Sequence, residues 1–345
     1  MIATRIPGPA TRAEPARKSA NLAASLAALA LGTTLVAGPA LAQTEVNVGF
    51  ALAATSHYGV AGEKWKEVVD AGTDGRYSLT LHPSSALGGE RDVIEGLQIG
   101  TIEATIVSSG TLSSFVPEVG VFDIPFLFRD LNHARAVLDG PIGEAMLAKF
   151  EDQGLVALAW GEQGFRHITN NRNAIATPAD VKGLKIRTME NPVHITAFQT
   201  LGAAPTPMAW PEVIVGLQQG TIDGQENPLS VITSAHLSET QKYLTLSGHV
   251  YSPAMILVSK MFWDGLTPED QEVFRKGAIE AKAAMRAFVD AAETNGEAQL
   301  KSEGMEITKL SDEQKAAFRE ALKPAYAEYA KKYGQDLIDQ IIATK

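Results

Sequence analysis

Short apolar runs alternate with amphipathic stretches along most of this sequence. Each run is bounded by Gly, Pro or clusters of polar residues, which is typical of a buried strand. The predicted strands are 46–51, 78–82, 104–107, 155–160, 184–188 and 254–258. Their alternation with helical stretches predicts an α/β protein whose sheets are largely parallel.

Three helices carry start signals. Thr177-Pro178-Ala179-Asp180 is a capping box with Pro at the first helical position, and Gly183 is expected to end that helix. Thr267 opens a longer helix, and Ser311 opens a last one before Pro324. In the longer helix, apolar residues recur every three or four positions and predict one buried stripe: Phe274, Ala278, Ala281, Met285, Phe288 and Ala292.

A twelve-residue motif occurs twice. VIEGLQIGTIEA at 93–104 returns as VIVGLQQGTIDG at 213–224, with eight identical positions at an offset of 120 residues. Each copy is typical of a helix end, a Gly that permits a positive φ, and the entry to a strand. We interpret the repeat as one helix–turn–strand unit in each of two similar lobes, with chance recurrence in a chain rich in Gly and Leu as the alternative. Ligands of such sheets bind beyond the carboxyl ends of the strands, so a cleft between lobes is the expected site.

The first 42 residues are typical of a cleaved signal peptide. Four basic residues lie at its start, a small and apolar run follows from 22 to 37, and an A-x-A cleavage site at 40–42 precedes Gln43. A retained membrane anchor is the alternative, although the run is rich in Ala and Gly and somewhat short for a span. We therefore expect the chain to be exported and residues 43–345 to be released.

Composition excludes several classes of partner and chemistry. The 345-residue chain has a formal net charge of −10, and loss of the signal peptide removes more basic than acidic residues. A chain this acidic repels nucleic acid and anionic lipid head groups, so neither is expected as a partner. The sequence contains no Cys, which excludes disulfides, thiol catalysis and lipid attachment through an N-terminal Cys.

The sequence also lacks catalytic and cofactor signatures. It has no P-loop, no G-x-S-x-G nucleophile elbow and no H-E-x-x-H, and its seven His residues lack metal-ligand spacing. We therefore expect no cofactor, no metal site and no enzymatic activity. Carboxylates that meet only in the folded chain leave a secreted hydrolase as an alternative.

Three polar residues lie at the ends of predicted strands. Arg166 follows the strand that ends at Trp160, Arg187 lies near the end of the strand at 184–188, and Asn227 precedes Pro228. Arg suits a carboxylate because its planar fork gives two parallel charge-assisted hydrogen bonds, and Asn adds a neutral donor. Position alone leaves open that each Arg pairs with a surface acid and that Asn227 is an ordinary turn residue.

Four stretches together resemble one transport family. They are GEQGFRHITN at 161–170, LKIRT at 184–188, MAWPEV at 208–213 and LQQGTIDGQENP at 217–228, with weaker similarity from Val46 through LGGE at 87–90 to the last helix. In this order and spacing they look like the solute-binding proteins, of the dicarboxylate-receptor type, of TRAP, the tripartite ATP-independent periplasmic transporters. The resemblance implies a periplasmic binding-protein fold of two α/β lobes with a hinge, an interlobe cleft and long C-terminal helices.

The expected lobe boundaries follow from the same resemblance. Lobe I is expected to comprise residues 43–164 with 253–292, and lobe II residues 165–252 with 293–345.

The resemblance also implies roles for single residues. Arg187 takes the position that binds the ligand carboxylate in a bidentate salt bridge, and Arg166 that of a second Arg on the ligand. Asn227 matches a residue that completes the carboxylate site. Trp210 stands where the family often places an aromatic ring against the ligand, with packing between lobes as the alternative, and Glu90 aligns with a polar position near the pocket.

Two features of the expected pocket stay open. His57 and Tyr58 follow the first strand in a loop that often faces the cleft, and they receive no role. The Trp210-Pro211 pair departs from the family, which commonly has a small polar residue after the aromatic, so the shape of the pocket is not fixed.

The function implied is that of a periplasmic receptor. It captures a small organic acid in the cleft, closes around it and delivers it to the large and small membrane subunits of a TRAP permease; we expect a monomer. A C4-dicarboxylate, a sugar acid and a small hydroxy or keto monocarboxylate all satisfy one Arg clamp. A secreted α/β enzyme acting on an organic acid, and a receptor that presents its acid to a sensor protein, are the alternatives.

Overall fold

The computed structural model describes residues 43–345, and the predicted signal peptide at 1–42 lies outside the described residues. The strands of the described part are β1 (Thr44–Gly49), β2 (Tyr77–His82), β3 (Ala104–Ser108), β4 (Leu155–Asn170), β5 (Lys185–Thr188), β6 (Ala204–Pro207), β7 (Gly224–Pro228), β8 (Tyr243–Ser259) and β9 (Glu306–Lys309). They form one mixed sheet in the order β2–β1–β3–β8–β4–β7–β5–β6, with β9 beside β8.

Helices cover most of the chain between these strands. They are α1 (His57–Gly72), α2 (Glu90–Gln98), α3 (Ser109–Leu112), α4 (Leu131–Asp139), α5 (Pro141–Leu147), α6 (Pro192–Thr200), α7 (Trp210–Gln218), α8 (Leu229–Ser234), α9 (Lys260–Trp263), α10 (Pro268–Ser302), α11 (Asp312–Ala321), α12 (Lys323–Tyr333) and α13 (Gln335–Ala343). Short 3₁₀ helices lie at Pro117–Asp123, Ala148–Gln153, Pro178–Val181 and Leu237–Glu239. Within residues 43–345, no helix combines the length and apolar character that crossing a membrane requires.

Two triplets of parallel strands have the same connectivity. β1–α1–β2–α2–β3 gives the strand order β2–β1–β3, and β5–α6–β6–α7–β7 gives β6–β5–β7. The twelve-residue motif runs in both from the second helix into the third strand. Gly100 and Gly220 have φ of 72° and 68°. In both copies the Thr that follows donates its amide to the carbonyl oxygen of the Gly five residues earlier. The sequence repeat is therefore also a structural repeat.

β4 and β8 are long antiparallel strands that join the two triplets. The sequence predicted only the apolar end of each, because Gly161 and Pro253 interrupt the runs. Backbone pairing nevertheless continues through a register shift between Glu162 and Gly164, where Gly164 has a φ of 110°. The expectation of parallel pairing therefore holds for the outer triplets but not for this central pair. The predicted lobe boundaries at 164/165 and 252/253 fall within the pair and stay a prediction.

Two of the predicted helix features differ in detail. The capping box at Thr177 opens a single 3₁₀ turn, because Gly183, with a φ of 74°, soon redirects the chain. In α10 the stripe is buried as predicted from Phe274 to Met285, but Val289 then replaces Phe288, and burial continues to Leu300. A step of four residues from Met285 follows the 3.6-residue helical period more closely than the predicted step of three.

The core under α10 depends on a close approach to α1. The indole Nε1 of Trp65 donates to the carbonyl oxygen of Phe274 at 3.1 Å. A Cβ added to Gly277 would lie 2.6 Å from Cδ1 of Trp65, so only Gly fits there. The packing of α1 and α10 holds the first triplet and the long strands as one support for the site.

Glu293 lies on α10 beside the register shift of β4. Its Oε1 is buried without a hydrogen-bond partner among residues 43–345, and it would lie 3.1 Å from a Cβ added to Gly164. Burial, together with the negative charges of Glu162 and Asp290, raises the pKa of Glu293 to about 7. The folded protein thus holds this proton more tightly than the unfolded chain, in which the pKa is about 4.5. The contribution of Glu293 to stability therefore falls as the pH rises from about 4.5 to about 7.

We expect Glu293→Gln to raise the free energy of unfolding at pH 8 by roughly 1–3 kcal/mol, because the amide carries no charge that burial penalises. At pH 4, where both states keep the proton, the variant should match the wild type. Urea denaturation at the two pH values measures the difference. Glu297→Gln, one turn further along α10 at an exposed position, is the control and should change neither value. Equal stability of Glu293→Gln and wild type at pH 8 would contradict the effect of burial on this carboxyl group.

Candidate functional site

A cavity lies where the carboxyl ends of the two parallel triplets face each other. The empty space between its lining atoms, counted together with the open solvent at its mouth, is about 480 Å³. Arg187, Asn227, Trp210 and Glu90 all lie in its wall, whereas Arg166 does not, and their roles in binding a ligand stay predictions. The other polar side chains of the wall are Tyr58, Arg91, Ser108, Thr111, Gln163 and Glu190.

Arg187 is the buried cation of this wall. It lies on β5 between Gln225 of β7 and Thr206 of β6, near the carboxyl end of the second triplet. The side chain is 4% exposed. Its Nε and Nη2 donate to the carbonyl oxygen of Met208 at 2.9 and 2.6 Å, and its guanidinium carbon lies 5.8 Å from the centre of the Trp210 ring. Backbone pairing, one carbonyl group and one aromatic ring therefore fix its direction.

The guanidinium group of Arg187 is not paired with an acid. Within residues 43–345 it forms no salt bridge, and its Nη1 has no hydrogen-bond partner. Burial, with the positive charge of Arg166, lowers the pKa of Arg187 to about 10, although the negative charges of Glu226, Glu90 and Glu190 act in the opposite direction. Arg187 therefore stays protonated at neutral pH. A buried cation without a counter-ion is costly, and a carboxylate placed in the cavity supplies the missing charge.

Arg166 is bonded to an internal acid. Its Nε donates to Oε2 of Glu226 at 2.5 Å, and its Nη2 donates to Oε1 at 2.9 Å and to the backbone carbonyl oxygen of that residue. Burial by itself raises the pKa of Glu226, but Arg166 and His194 outweigh it and hold that pKa well below its usual range. The structure thus places Arg166 behind the cavity wall with its charge balanced, and direct contact with a ligand stays a prediction.

A chain of hydrogen bonds links Arg166 to the cavity. Its Nη1 donates to Oγ of Ser252 at 3.3 Å, and Ser252 also accepts from Nε2 of Gln163 at 3.0 Å. The same Nε2 donates to Oγ of Ser108 at 2.7 Å. Asn227 lies in β7 beside this chain, with its Nδ2 donating to Oε1 of Gln225, whose backbone pairs with that of Arg187. Asn227 therefore lies near the Arg187 side of the cavity.

Glu90 and Trp210 occupy equivalent positions of the repeat, because each is the first residue of its helix, α2 or α7. The two helix N-termini approach each other, since a Cβ on Gly89 would lie 3.6 Å from that of Ala209. The positive ends of two helix dipoles at a cavity favour an anion. The pair thus marks where the two copies of the repeat face one ligand site.

The carboxylate of Glu90 is held by its own side of the cavity. Its Oε1 accepts from the amide of Ser108 at 2.9 Å, and its Oε2 accepts from Oγ1 of Thr111 at 2.5 Å. Burial raises the pKa of Glu90, and these hydrogen bonds and the positive charge of Arg187 offset part of the rise. Glu90 is therefore a fixed acceptor facing the same cavity as Arg187.

Sequence reasoning missed several lining residues. Tyr58, left without a role, lines the cavity, and its buried hydroxyl has no partner within residues 43–345. Its neighbour His57 lies behind it, with ring centres 4.5 Å apart, and burial lowers the pKa of His57 to about 3. Ser108 directly follows the predicted strand at 104–107 and ends β3, so the strand-end argument used for Arg187 applied to it equally. Gln163 gave no such signal, because it lies inside β4.

Contacts between the two sides close the cavity. Oγ of Ser114 donates to the carbonyl oxygen of Glu190 at 3.1 Å, and Nε of Arg91 lies 3.7 Å from Oε1 of Glu190. Nδ2 of Asn191 donates to Oδ2 of Asp123 at 2.7 Å. The chain after β3 is thus tied to the chain after β5, and a ligand in the cavity is enclosed.

His194 extends the buried polar network behind the wall. Its ring nitrogens lie 3.7 Å from Oδ1 of Asp123 and 3.6 Å from Oε1 of Glu226. Burial alone lowers the pKa of His194, but Glu226 and Asp123 outweigh it and raise that pKa. Within the described part of the chain, no group of His, Asp and Glu side chains is arranged to hold a metal ion.

The fold and the cavity define a two-lobed receptor for a small anion, and comparison with known proteins identifies its family. The family model described as bacterial extracellular solute-binding protein, family 7, matches residues 49–332. The chain belongs to this family, whose members serve as the solute-binding proteins of TRAP transporters and are receptors rather than enzymes. The predicted family and two-lobed fold are confirmed.

Relatives of this chain include proteins with named ligands. The 2,3-diketo-L-gulonate-binding periplasmic protein YiaO of Escherichia coli strain K12 is 37% identical over 305 residues, covering 88% of this chain and 91% of that protein. A TRAP periplasmic solute-binding protein from Bordetella bronchispeptica, with density assigned to pantoate, is 58% identical with a TM-score of 0.86, covering 88% of this chain and 100% of that one. One from Polaromonas sp. JS666, bound to D-erythronate, is 48% identical with a TM-score of 0.86, covering 88% and 99%.

The two arginines should differ in their effect on stability. Arg166→Ala leaves Glu226 buried without its main partner and should lower the free energy of unfolding by about 3–5 kcal/mol. Arg187→Ala removes an uncompensated cation and should change it by less than about 1 kcal/mol. Urea denaturation of both variants without ligand measures this difference.

A double variant tests the reason for that difference. Arg166→Ala with Glu226→Gln removes the unpaired charge, so it should be more stable than Arg166→Ala alone. Equal losses for the two single arginine variants would contradict the assignment of one arginine to the internal pair and the other to the ligand.

Proposed function

We propose that this protein captures a small carboxylate in the periplasm, holds it on Arg187 in the cavity between its lobes, and delivers it to the membrane subunits of a TRAP permease. One observation carries the proposal: Arg187 is 4% exposed, lines the cavity and lacks a counter-ion within residues 43–345. A carboxylate is the ligand group that satisfies both its charge and the planar geometry of its donors.

Several neighbouring groups support the same ligand. Asn227 offers an amide beside Arg187, the Trp210 ring closes one side, and the N-termini of α2 and α7 add positive potential. The names of the relatives agree, because 2,3-diketo-L-gulonate, pantoate and D-erythronate each carry one carboxylate. The specific acid bound by this chain is part of the proposal and is treated further below.

Closure of the lobes couples capture to delivery. The contacts of Glu190 and Asn191 across the opening form only when the two sides meet, and the carboxylate removes the cost of enclosing Arg187. A ligand that binds the closed arrangement better shifts the population toward it. The permease then receives a closed, loaded receptor. The predicted monomer is part of this proposal.

Arg187→Ala should abolish binding, with a loss of at least about 100-fold in affinity. Two charge-assisted hydrogen bonds of about 1.5–3 kcal/mol each are lost with the guanidinium group. A thermal-shift screen of organic acids against the wild type identifies a ligand, and isothermal titration calorimetry then compares the variants.

Two controls accompany this test. Arg187→Lys keeps the charge but not the fork, so it should bind with intermediate affinity. Arg172→Ala, at an exposed position away from the cavity, should bind like the wild type. Unchanged affinity in Arg187→Ala would remove the carboxylate site.

Export should yield a mature protein that begins at Gln43. Expression of the full chain in a Gram-negative host, followed by intact-mass measurement of the periplasmic fraction, tests the predicted cleavage after Ala42. Recovery of the uncleaved chain in the membrane fraction would instead support the anchor alternative.

A further inference from the structure

Some of the charged side chains around the cavity form salt bridges within the described part of the chain, and two do not. At the opening, Arg91 and Glu190 offset each other, and behind the wall Arg166 and Glu226 do the same. The two charged groups that remain in the wall are Arg187 and Glu90, and neither has a salt-bridge partner within residues 43–345. Arg187 belongs to the second triplet and Glu90 to the first, so a bound molecule lies between a free cation and a free anion.

Glu90 has acceptor capacity to spare. An ionised carboxylate has about four acceptor sites, and the contacts from Ser108 and Thr111 use one on each oxygen. These contacts come from a backbone amide and a hydroxyl group on the same side of the cavity, so they hold Glu90 in place without neutralising it. The unpartnered hydroxyl of Tyr58 lies in the same wall. A ligand that donates hydrogen bonds at this end satisfies both groups.

The two ends act on one small ligand. Both side chains line the same cavity, and the helix that begins at Glu90 approaches the helix that begins at Trp210, whose ring lies beside Arg187. A small acid that puts its carboxylate on Arg187 therefore brings its other end toward Glu90.

We propose that Glu90 makes this cavity selective for acids that carry one carboxylate and several hydroxyl groups, and that it rejects acids with a second carboxylate. A hydroxyl group donates a hydrogen bond to Glu90, whereas a second carboxylate cannot donate one and is repelled. An acid without hydroxyl groups is also disfavoured, because it displaces water from Glu90 without donating a hydrogen bond that replaces the lost one. The inference rests on the proposed function, since it assumes that Arg187 holds a carboxylate.

Two matched pairs of ligands test this selectivity. D-Erythronate and meso-tartrate differ only in a terminal hydroxymethyl group against a carboxylate, and D-galactonate and galactarate differ in the same way with six carbons. Calorimetry at pH 8 should show the monocarboxylate of each pair that binds to be at least about 100-fold tighter than its dicarboxylate partner. Butanoate, which has no hydroxyl group, should be weaker than D-erythronate by a similar factor.

Glu90→Gln isolates the charge, because the amide keeps the shape and can donate a hydrogen bond. We expect the preference for monocarboxylate over dicarboxylate to fall at least about tenfold, mainly through tighter binding of the dicarboxylate. Glu63→Gln is the matched control, since it removes the same charge from an exposed position on α1 of the first triplet, outside the cavity wall. It should leave the preference unchanged.

The outcomes separate this inference from the proposed function. A dicarboxylate that binds the wild type as tightly as its monocarboxylate partner, or an unchanged preference in Glu90→Gln, overturns the role of Glu90 while the receptor function stands. Tight binding of butanoate overturns it as well. If no acid of the panel binds, or if binding survives in Arg187→Ala, the carboxylate site itself is lost and this inference with it.

Discussion

The interaction on which the rest depends is one that the protein leaves incomplete, namely a buried guanidinium group without a counter-ion. Arg187 keeps its charge at neutral pH although burial lowers its pKa to about 10, and only one carbonyl group and one ring hold it. On the proposed function, water solvates this charge when the lobes are apart, and a carboxylate takes the place of that water when they close. Ligand capture and lobe closure are then coupled through the desolvation of this side chain.

Arg166 shows how differently the same residue type behaves when its charge is balanced. The carboxylate of Glu226, on the neighbouring strand, accepts two hydrogen bonds from Arg166. His194 lies 3.6 Å from that carboxylate and 3.7 Å from Asp123, on the other side of the cavity. This network fixes the framework behind the wall without requiring a ligand. Arg166 therefore stabilises the fold where β4 and β7 pair, whereas Arg187 lacks a salt-bridge partner, which a bound carboxylate would supply.

Local patterns predicted most of the elements and singled out candidate residues that lie in the cavity wall, because the rules that apply to them are local. Arg187 and Asn227 lie in the cavity since parallel strands bring their carboxyl ends together, which the strand–helix alternation already implied. The pairing of Arg166 with Glu226 depends on the register between β4 and β7, and no local signal encodes that register. The sequence did not predict the full length of β4 and β8 for a related reason, since Gly161 and Pro253 interrupt the apolar pattern but not the backbone pairing.

The cavity is chemically asymmetric although a structural repeat forms its two sides. A duplicated helix–turn–strand unit brings two equivalent helix starts to one cavity, and on symmetry alone both would present the same group to the ligand. Instead the first carries Glu90 and the second Trp210, beside which Arg187 lies. The scaffold therefore supplies matching positions, while the side chains at those positions give the cavity a cationic and an acidic end. On the proposed function, an acid in this cavity has one favourable orientation, with its carboxylate on Arg187 of the second triplet.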